Sequence, residues 1–228
     1  MQIIKAKDIE NATKEMIVKE FRADFTMFIS QEAKDYAEQN GITIIDKDAK
    51  AKPKKPEHMT NLDAKRLVLK NHPRIILRGK IDTFQAKVLE TQILAEELRC
   101  LNMVNMLQEI NDYARKIMVS ELLEEKLDDK ITLLGLNEHE LRYVSQHPTQ
   151  YFGIGHIAPS YKMGKLPVEL NLLRAMSREV EIAAINAFCD TTGTGEKISR
   201  ADILRALNRL SSALYIMYLE CLAEGRES

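Results

Sequence analysis

The chain lacks tryptophan, and aromatic residues make up only 6% of its 228 residues. Proteins that hold single-stranded nucleic acid stack the bases on aromatic side chains, so this scarcity argues against that class. The formal net charge is -1, which provides no overall field to attract nucleic acid or a membrane surface. Any site for an anionic ligand must therefore be a local cluster of positive charge.

Cysteine is scarce as well: Cys100, Cys189 and Cys221 lie far apart and form no CxxC pair. An odd number of scattered cysteines argues against a disulfide framework and a structural zinc site, and it is typical of a reducing compartment. No stretch approaches the ~20 apolar residues that a membrane helix needs. The N-terminus has no apolar core of signal-peptide length. We therefore expect a soluble cytoplasmic protein without a membrane or nucleic-acid partner.

A segment rich in lysine and proline, residues 46–60, predicts a linker. It separates a small N-terminal module, residues 1–45, from residues 61–228. In the module, Ser30 and Gly41 have the residue types of an N-cap and a C′ position, and they bracket a short helix. The apolar runs Phe25–Ile29 and Ile42–Ile45 are candidate strands. We found no internal sequence repeat.

Residues 61–228 have a helical pattern. From Ile81 to about Lys126 there is no glycine or proline, and this length predicts two helices that meet near Leu101–Asn105. The remaining predicted features are an N-cap at Asn137, a loop from His147 to Lys165, a helix with Pro167 as its first residue, a second loop from Thr191 to Lys197, and a last helix that starts with a capping box at Ser199 and Asp202. The predicted fold is all-α: an antiparallel four- to five-helix bundle with a small N-terminal appendage.

The helix after Pro167 carries Arg174, Arg178 and Glu181 at positions i, i+4 and i+7, which places them on one face. One interpretation is a surface ladder, in which Arg178 and Glu181 pair and contribute a few tenths of a kcal/mol. The other is that two guanidiniums hold a polyphosphate, whose oxygens they match bidentately. The spacing alone leaves both interpretations open.

Three further segments carry candidate site residues. Asn208 lies inside the last helix, where it is either exposed to solvent or held for a hydrogen bond. Arg78 and Asp82 lie where we expect the first bundle helix to begin, and a helix N-terminus attracts anions. Phe152 and His156 belong to YFGIGH, a glycine-containing apolar loop that either plugs the bundle or closes on a large apolar ligand.

Together these segments resemble the cobalamin adenosyltransferases of the ethanolamine-utilization type, which are related to the propanediol-type enzymes. LNLLRAMSREVE matches the family's Arg-Arg-Glu helix at Arg174, Arg178 and Glu181. LNRLS is similar to its closing-helix motif, and HPRIILRGKID followed by TFQA resembles the segment that opens its first bundle helix. YFGIGH and the N-terminal pattern around SQEAKDYAEQNGITI resemble the ethanolamine branch in particular.

The resemblance implies transfer of the 5′-deoxyadenosyl group of ATP to cob(I)alamin, with Mg2+. It implies that Arg174, Arg178 and Glu181 are catalytic, and that Asn208 binds ATP. The same resemblance makes Asp82, Arg78, Phe152 and His156 candidates for binding ATP or the corrinoid. It further implies a homo-oligomer, trimer more than dimer, a flavoprotein reductase as electron donor, and a place in the cytoplasm or near a bacterial microcompartment. A non-catalytic helical scaffold or regulator, and the same activity in another diol or amine pathway, are the alternatives.

The chain also departs from the family pattern. The Thr- and Gly-rich phosphate loop of the propanediol branch is absent, which leaves the triphosphate contacts partly unassigned. A metal motif found in some ethanolamine-type members would begin at His72, but its three cysteine positions hold Phe84, Gln85 and Val88. We therefore expect no metal at His72 and a structural role for its ring.

Overall fold

The computed structural model describes residues 2–16, 19–24, 26–46, 55–155, 157–189 and 197–227. The chain divides into two compact units, Met1–Glu57 and His58–Ser228. Among the described residues, no helix has the length and apolar character needed to cross a membrane. The prediction of an all-α bundle with a small N-terminal appendage is confirmed.

The N-terminal unit consists of two β-α-β segments, although no sequence repeat predicted this. The elements are β1 (Gln2–Ile4), α1 (Ala6–Thr13), β2 (Glu20–Ala23), β3 (Met27–Ile29), α2 (Gln31–Gln39) and β4 (Thr43–Asp46). Strands β1 and β3 pair in parallel, and so do β2 and β4. The first strands of the two segments therefore pair with each other, and so do the second strands. Apolar side chains from both segments share one small core.

The helix cap, the glycine after the helix and the strand run predicted for this unit agree with its structure. The Ser30 hydroxyl accepts a hydrogen bond from the Ala33 N–H at 3.3 Å and caps α2. Gly41 follows the helix with φ +61°, a backbone conformation that side chains with a Cβ rarely adopt. Strand β4 lies on the predicted Ile42–Ile45 run, shifted by one residue. Strand β3 covers part of the other run, whose Phe25 lies outside the described residues.

Residues 58–228 form the bundle. Its elements are β5 (Met59–Asn61), β6 (Leu67–Leu69), α3 (Pro73–Glu97), α4 (Leu101–Leu123), β7 (Thr132–Leu133), β8 (Leu136–Asn137), α5 (Glu138–Gln146), α6 (Pro148–Phe152), a 3-10 turn (Tyr161–Met163), α7 (Lys165–Phe188) and α8 (Ala201–Glu227). Helix α7 packs against α3 and α8, and α4 packs against α3 and α8. These four long helices enclose the main apolar core.

The first bundle helix begins earlier than the sequence indicated. It starts at Pro73, and the His72 ring caps it, because Nδ1 accepts a hydrogen bond from the Arg74 N–H at 3.2 Å. Asp82 therefore lies in the third turn of α3 and not near its N-terminus, which corrects our placement. The break between α3 and α4 falls just before the predicted meeting point, where Arg99 has φ 59°.

The segment from His147 to Lys165 is more structured than the loop we predicted. Pro148 starts the short helix α6, which ends at Gly153 with φ 63°. Helix α7 begins at Lys165, so Pro167 lies inside its first turn and is not its first residue. The predicted cap of α5 is confirmed, because the Asn137 side chain accepts from His139 N–H and Glu140 N–H at 3.0 and 3.1 Å.

The last helix starts differently from the predicted capping box. Ser199 does not cap it; its hydroxyl donates to the Phe188 carbonyl at 3.1 Å. The Asp202 carboxylate instead accepts from the Leu127 N–H at 2.9 Å and pairs with Arg200 at 2.8 Å. Apolar side chains recur at helical spacing along α8 and are fully buried: Ile203, Leu207, Leu210, Leu214 and Met217.

Candidate functional site

A polar cleft forms where α5, α7 and α8 meet. Its volume is ≈ 320 Å³, at the lower end of the range for ligand pockets. The lining residues are Ser145, Gln146, Arg174, Asn208, Ser211, Ser212 and Tyr215. Two of the predicted site residues, Arg174 and Asn208, thus meet in one cleft although they lie on different helices.

Arg174 is held over an aromatic ring. Its guanidinium carbon lies 4.3 Å from the centroid of the Tyr215 ring, within the distance at which a ring face attracts a cation. Tyr215 follows Asn208 by seven residues, so both side chains lie on the same face of α8. Tyr215 was not predicted from the sequence, although its spacing from Asn208 was a signal that could have identified it.

Glu181 connects α7 to α8 rather than completing a ladder on α7. Its Oε1 accepts a hydrogen bond from Asn208 Nδ2 at 3.1 Å. Within the described part of the chain, no ion pair joins Glu181 to Arg178. Arg178 is exposed one turn beyond Arg174, and it makes no hydrogen bond or ion pair with any residue that the structure describes. Its guanidinium charge is therefore not compensated by those residues.

Arg78 is occupied elsewhere. Its Nε donates to Glu121 Oε2 at 2.5 Å, and Arg74 also donates to Glu121. Glu121 is fully buried, so two guanidiniums enclose one carboxylate between α3 and α4. Asp82 is exposed on α3 and, like Arg78, does not line the cleft of this chain.

Phe152 lies at the end of α6, half-buried against the bundle core. It lines a second cavity of ≈ 510 Å³, with Met106, Tyr151 and Ile216. A third cavity of ≈ 560 Å³ shares Tyr151 with this one and Gln146 with the polar cleft. The polar cleft therefore adjoins a larger and mainly apolar surface. His156 lies outside the described residues.

Among the described residues, no three side chains of His, Cys, Asp or Glu are grouped closely enough to hold a metal ion. The cleft itself offers hydroxyl and amide oxygens from Ser211, Ser212 and Gln146, with the Glu181 carboxylate at its edge. Such oxygens suit a Mg2+ that keeps several waters and is held mainly by substrate phosphates, rather than a metal enclosed by protein ligands.

Known proteins with similar sequences identify the family of this chain. The chain is 35% identical over 172 residues to the corrinoid adenosyltransferase EutT of Salmonella typhimurium, an alignment that covers 75% of this chain and 61% of that protein. It is 32% identical over 202 residues to EutT of Escherichia coli K12, covering 85% and 72%. The chain thus spans less than two thirds of the Salmonella protein. No solved structure matches it. Residues 52–221 match the family described as cobalamin adenosyltransferase, and the chain belongs to this family.

Proposed function

We propose that this chain transfers the 5′-deoxyadenosyl group of ATP to cob(I)alamin, for ethanolamine catabolism. The observation that carries the proposal is the polar cleft, where Arg174 and Asn208 from facing helices meet beside an apolar surface. A nucleotide needs the polar part, and a corrin ring needs the apolar part. The names of the relatives and the family match support the same reaction.

The reaction makes clear demands on the residues of the cleft. The cobalt(I) electron pair attacks the 5′ carbon of ATP, a Co–C bond forms, and the C–O bond breaks so that triphosphate leaves with the electron pair. The leaving group is highly anionic, and fixed cations stabilise such charge at low reorganisation cost. Arg174, held over the Tyr215 ring, and Arg178, whose charge is uncompensated among the described residues, are suited to this role.

Asn208 and Glu181 take the nucleoside end of ATP in this proposal. Their mutual hydrogen bond fixes both side chains at the edge of the cleft before the ligand arrives. Mg2+ accompanies the triphosphate of ATP. Phe152 and the cavity that it lines are candidates to cover one face of the corrin, where an apolar side chain hinders lower axial ligation and eases reduction to cobalt(I). His156 remains a candidate for binding ATP or the corrinoid.

The decisive experiment is anaerobic assay of the purified chain with chemically reduced cobalamin and MgATP. Conversion of the cob(I)alamin spectrum to that of adenosylcobalamin is expected. Absence of a Co–C product under strictly reducing conditions would refute the proposal and favour the scaffold or regulator alternative. The pathway is a separate question: growth on ethanolamine, compared with growth on diols, after deletion of the gene distinguishes the alternatives.

Arg178 provides a direct test of the site. Arg178→Ala should lower kcat by at least ~100-fold if the guanidinium stabilises the leaving group. Arg115→Ala is the matched control, since Arg115 is exposed on α4 and pairs only with Asp112 among the described residues, at 3.5 Å. Near-normal turnover of Arg178→Ala would exclude this role.

A second copy of the chain completes the site in this proposal, in a trimer rather than a dimer. Asp82 is exposed on α3 and does not line the cleft of its own chain, whereas Arg78 is held by Glu121. Large apolar side chains are also exposed on α3 and α7, which is typical of subunit contacts; they include Ile76, Leu89, Ile93, Leu172 and Ile182. Co-expression of inactive Asp82→Asn and Arg178→Ala chains should restore part of the activity. No restoration in mixed oligomers would mean that each chain carries its own complete site.

The expected protein partner follows from the chemistry. Cobalt must be reduced before it attacks, so an electron-donating flavoprotein reductase is the expected protein partner. The proposed place of action is the cytoplasm, near a bacterial microcompartment that degrades ethanolamine. Reduction of cobalamin by purified candidate reductases, with and without this chain, tests the partnership.

A further inference from the structure

Arg209 is a buried cation whose guanidinium has few partners. The residue is only 8% exposed, and buried guanidiniums are normally paired with carboxylates, because an unpaired buried charge is costly. No carboxylate of the described residues forms an ion pair with Arg209. Its Nε has no hydrogen-bond partner there, and its Nη1 makes only a long contact of 3.5 Å with the Glu138 carbonyl. Burial lowers the pKa of Arg209 from its ordinary value, although the charge of Glu138 partly offsets this.

The closest contact of Arg209 is with Asn208. Arg209 Nη2 donates to Asn208 Oδ1, and Asn208 Nδ2 donates to Glu181 Oε1 at 3.1 Å. A guanidinium has only donors and an ionised carboxylate has only acceptors. The Asn208 amide must therefore turn its oxygen toward Arg209 and its nitrogen toward Glu181. If the amide group turned by 180°, its NH2 group would face the donors of Arg209 and its oxygen would face the carboxylate of Glu181.

We propose that Arg209 is a positioning residue, which fixes the Asn208 carboxamide in one orientation at the edge of the polar cleft. The inference rests on the proposed function for its link to ATP, while the orientation itself is a property of the ligand-free protein. A side-chain amide accepts hydrogen bonds at its oxygen and donates them from its NH2 group. Only an amide held in one orientation therefore recognises a nucleoside selectively. This explains why a charge is buried next to the cleft with so few partners.

The first test needs no activity. Protein labelled with 15N at asparagine gives a side-chain NH2 signal for Asn208, identified by its absence in Asn208→Ser. In Arg209→Met, the apolar replacement has a similar length and suits the buried site. The Asn208 signal should shift and broaden as the amide samples both orientations. An unchanged signal in folded Arg209→Met would overturn the proposal, whatever the enzyme catalyses.

The second test connects the orientation to ATP. Arg209→Met should raise the KM for ATP by about three- to ten-fold, the effect of one misdirected hydrogen bond, and leave the KM for the corrinoid unchanged. Arg205→Met is the matched control, because it removes a guanidinium one turn earlier on α8 that pairs with Asp129 at 3.0 Å and with Glu138 at 3.9 Å but does not contact Asn208. Its KM for ATP should match that of the parent protein.

A double variant separates positioning from a merely structural role. In the Asn208→Ser background, Arg209→Met should have no further effect on the KM for ATP, because the amide that it orients is gone. Additive effects would contradict the proposal, as would an equal rise in both KM values. If the parent protein lacks adenosyl transfer but the Asn208 signal still responds to Arg209→Met, the proposed function fails and the positioning role stands.

Discussion

The buried carboxylate of Glu121 provides a quantitative test of how the bundle is held together. Glu121 is 0% exposed, and it accepts hydrogen bonds from Arg74 and from Arg78, whose Nε lies 2.5 Å from Oε2. The side chains of both arginines are 13% exposed. Glu121→Gln keeps the shape but removes the charge, so both guanidiniums lose the carboxylate between them. Arg74 retains Glu124 at 2.5 Å, whereas Arg78 has no other ion-pair partner among the described residues.

Removal of one member of a buried ion pair costs about 3–5 kcal/mol, because the partner charge stays buried without compensation. We expect Glu121→Gln to lose an amount in this range from the free energy of unfolding. Urea denaturation followed by far-ultraviolet circular dichroism measures it, since most of the helical signal comes from the bundle. For a chain of this size, the melting temperature should fall by roughly 2–4 °C for each kcal/mol lost.

Two further variants are controls for this loss of unfolding free energy. Glu90→Gln makes the same chemical change at a carboxylate that is 69% exposed and pairs with Lys87 at 3.1 Å, so the expected loss is below about 1 kcal/mol. Arg78→Met in the Glu121→Gln background removes the orphaned charge and should restore part of the stability. A loss below about 1 kcal/mol for Glu121→Gln, or no recovery in the double variant, would refute the reasoning.

Two further predictions concern α8. Tyr215→Leu removes the ring over which Arg174 lies at 4.3 Å, so the KM for ATP should rise by about two- to ten-fold in steady-state assays; Tyr215→Phe keeps the aromatic face and should change it less. Burial raises the pKa of Asp202, but hydrogen bonds from Arg200 and from the Leu127 N–H outweigh burial and hold the pKa at about 2. This stabilisation is fully present above about pH 4 and is lost as pH falls toward 2. Asp202→Asn should therefore cost roughly 1–2 kcal/mol in urea denaturation at pH 7, with a difference from the parent protein that shrinks below about pH 3.

Caps and periodic apolar patterns were predictable from the sequence because both act over a few residues. Ser30 caps α2 and Asn137 caps α5 as expected, with hydrogen bonds to N–H groups two or three residues ahead. Gly41 adopts the positive φ for which glycine is suited. The apolar seam of α8 follows from the helical period alone. These signals are local, and tertiary packing did not override them.

Features that depend on distant residues could not be predicted in the same way. Ser199 and Asp202 have the spacing of a capping box, but Arg200 and the Leu127 N–H engage the carboxylate instead. The start of α3 was misplaced because the cap comes from the His72 ring, a less usual capping residue than serine or asparagine. The parallel pairing in the N-terminal unit joins strands with dissimilar sequences, so periodicity contains no signal for it.

The helix that carries the candidate site shows the same limit most clearly. Its spacing correctly places Arg174, Arg178 and Glu181 on adjoining turns, but spacing cannot determine which partner each side chain takes. An exposed pair on one helix contributes only about 0.2–0.5 kcal/mol, so a better-oriented partner on a facing helix prevails. Here that partner is Asn208, whose Nδ2 donates a hydrogen bond to Glu181 Oε1 at 3.1 Å. The loss of the local pair leaves the Arg178 charge uncompensated among the described residues. No surface ladder therefore joins Arg178 to Glu181 there, and the turnover of Arg178→Ala tests the phosphate-binding interpretation.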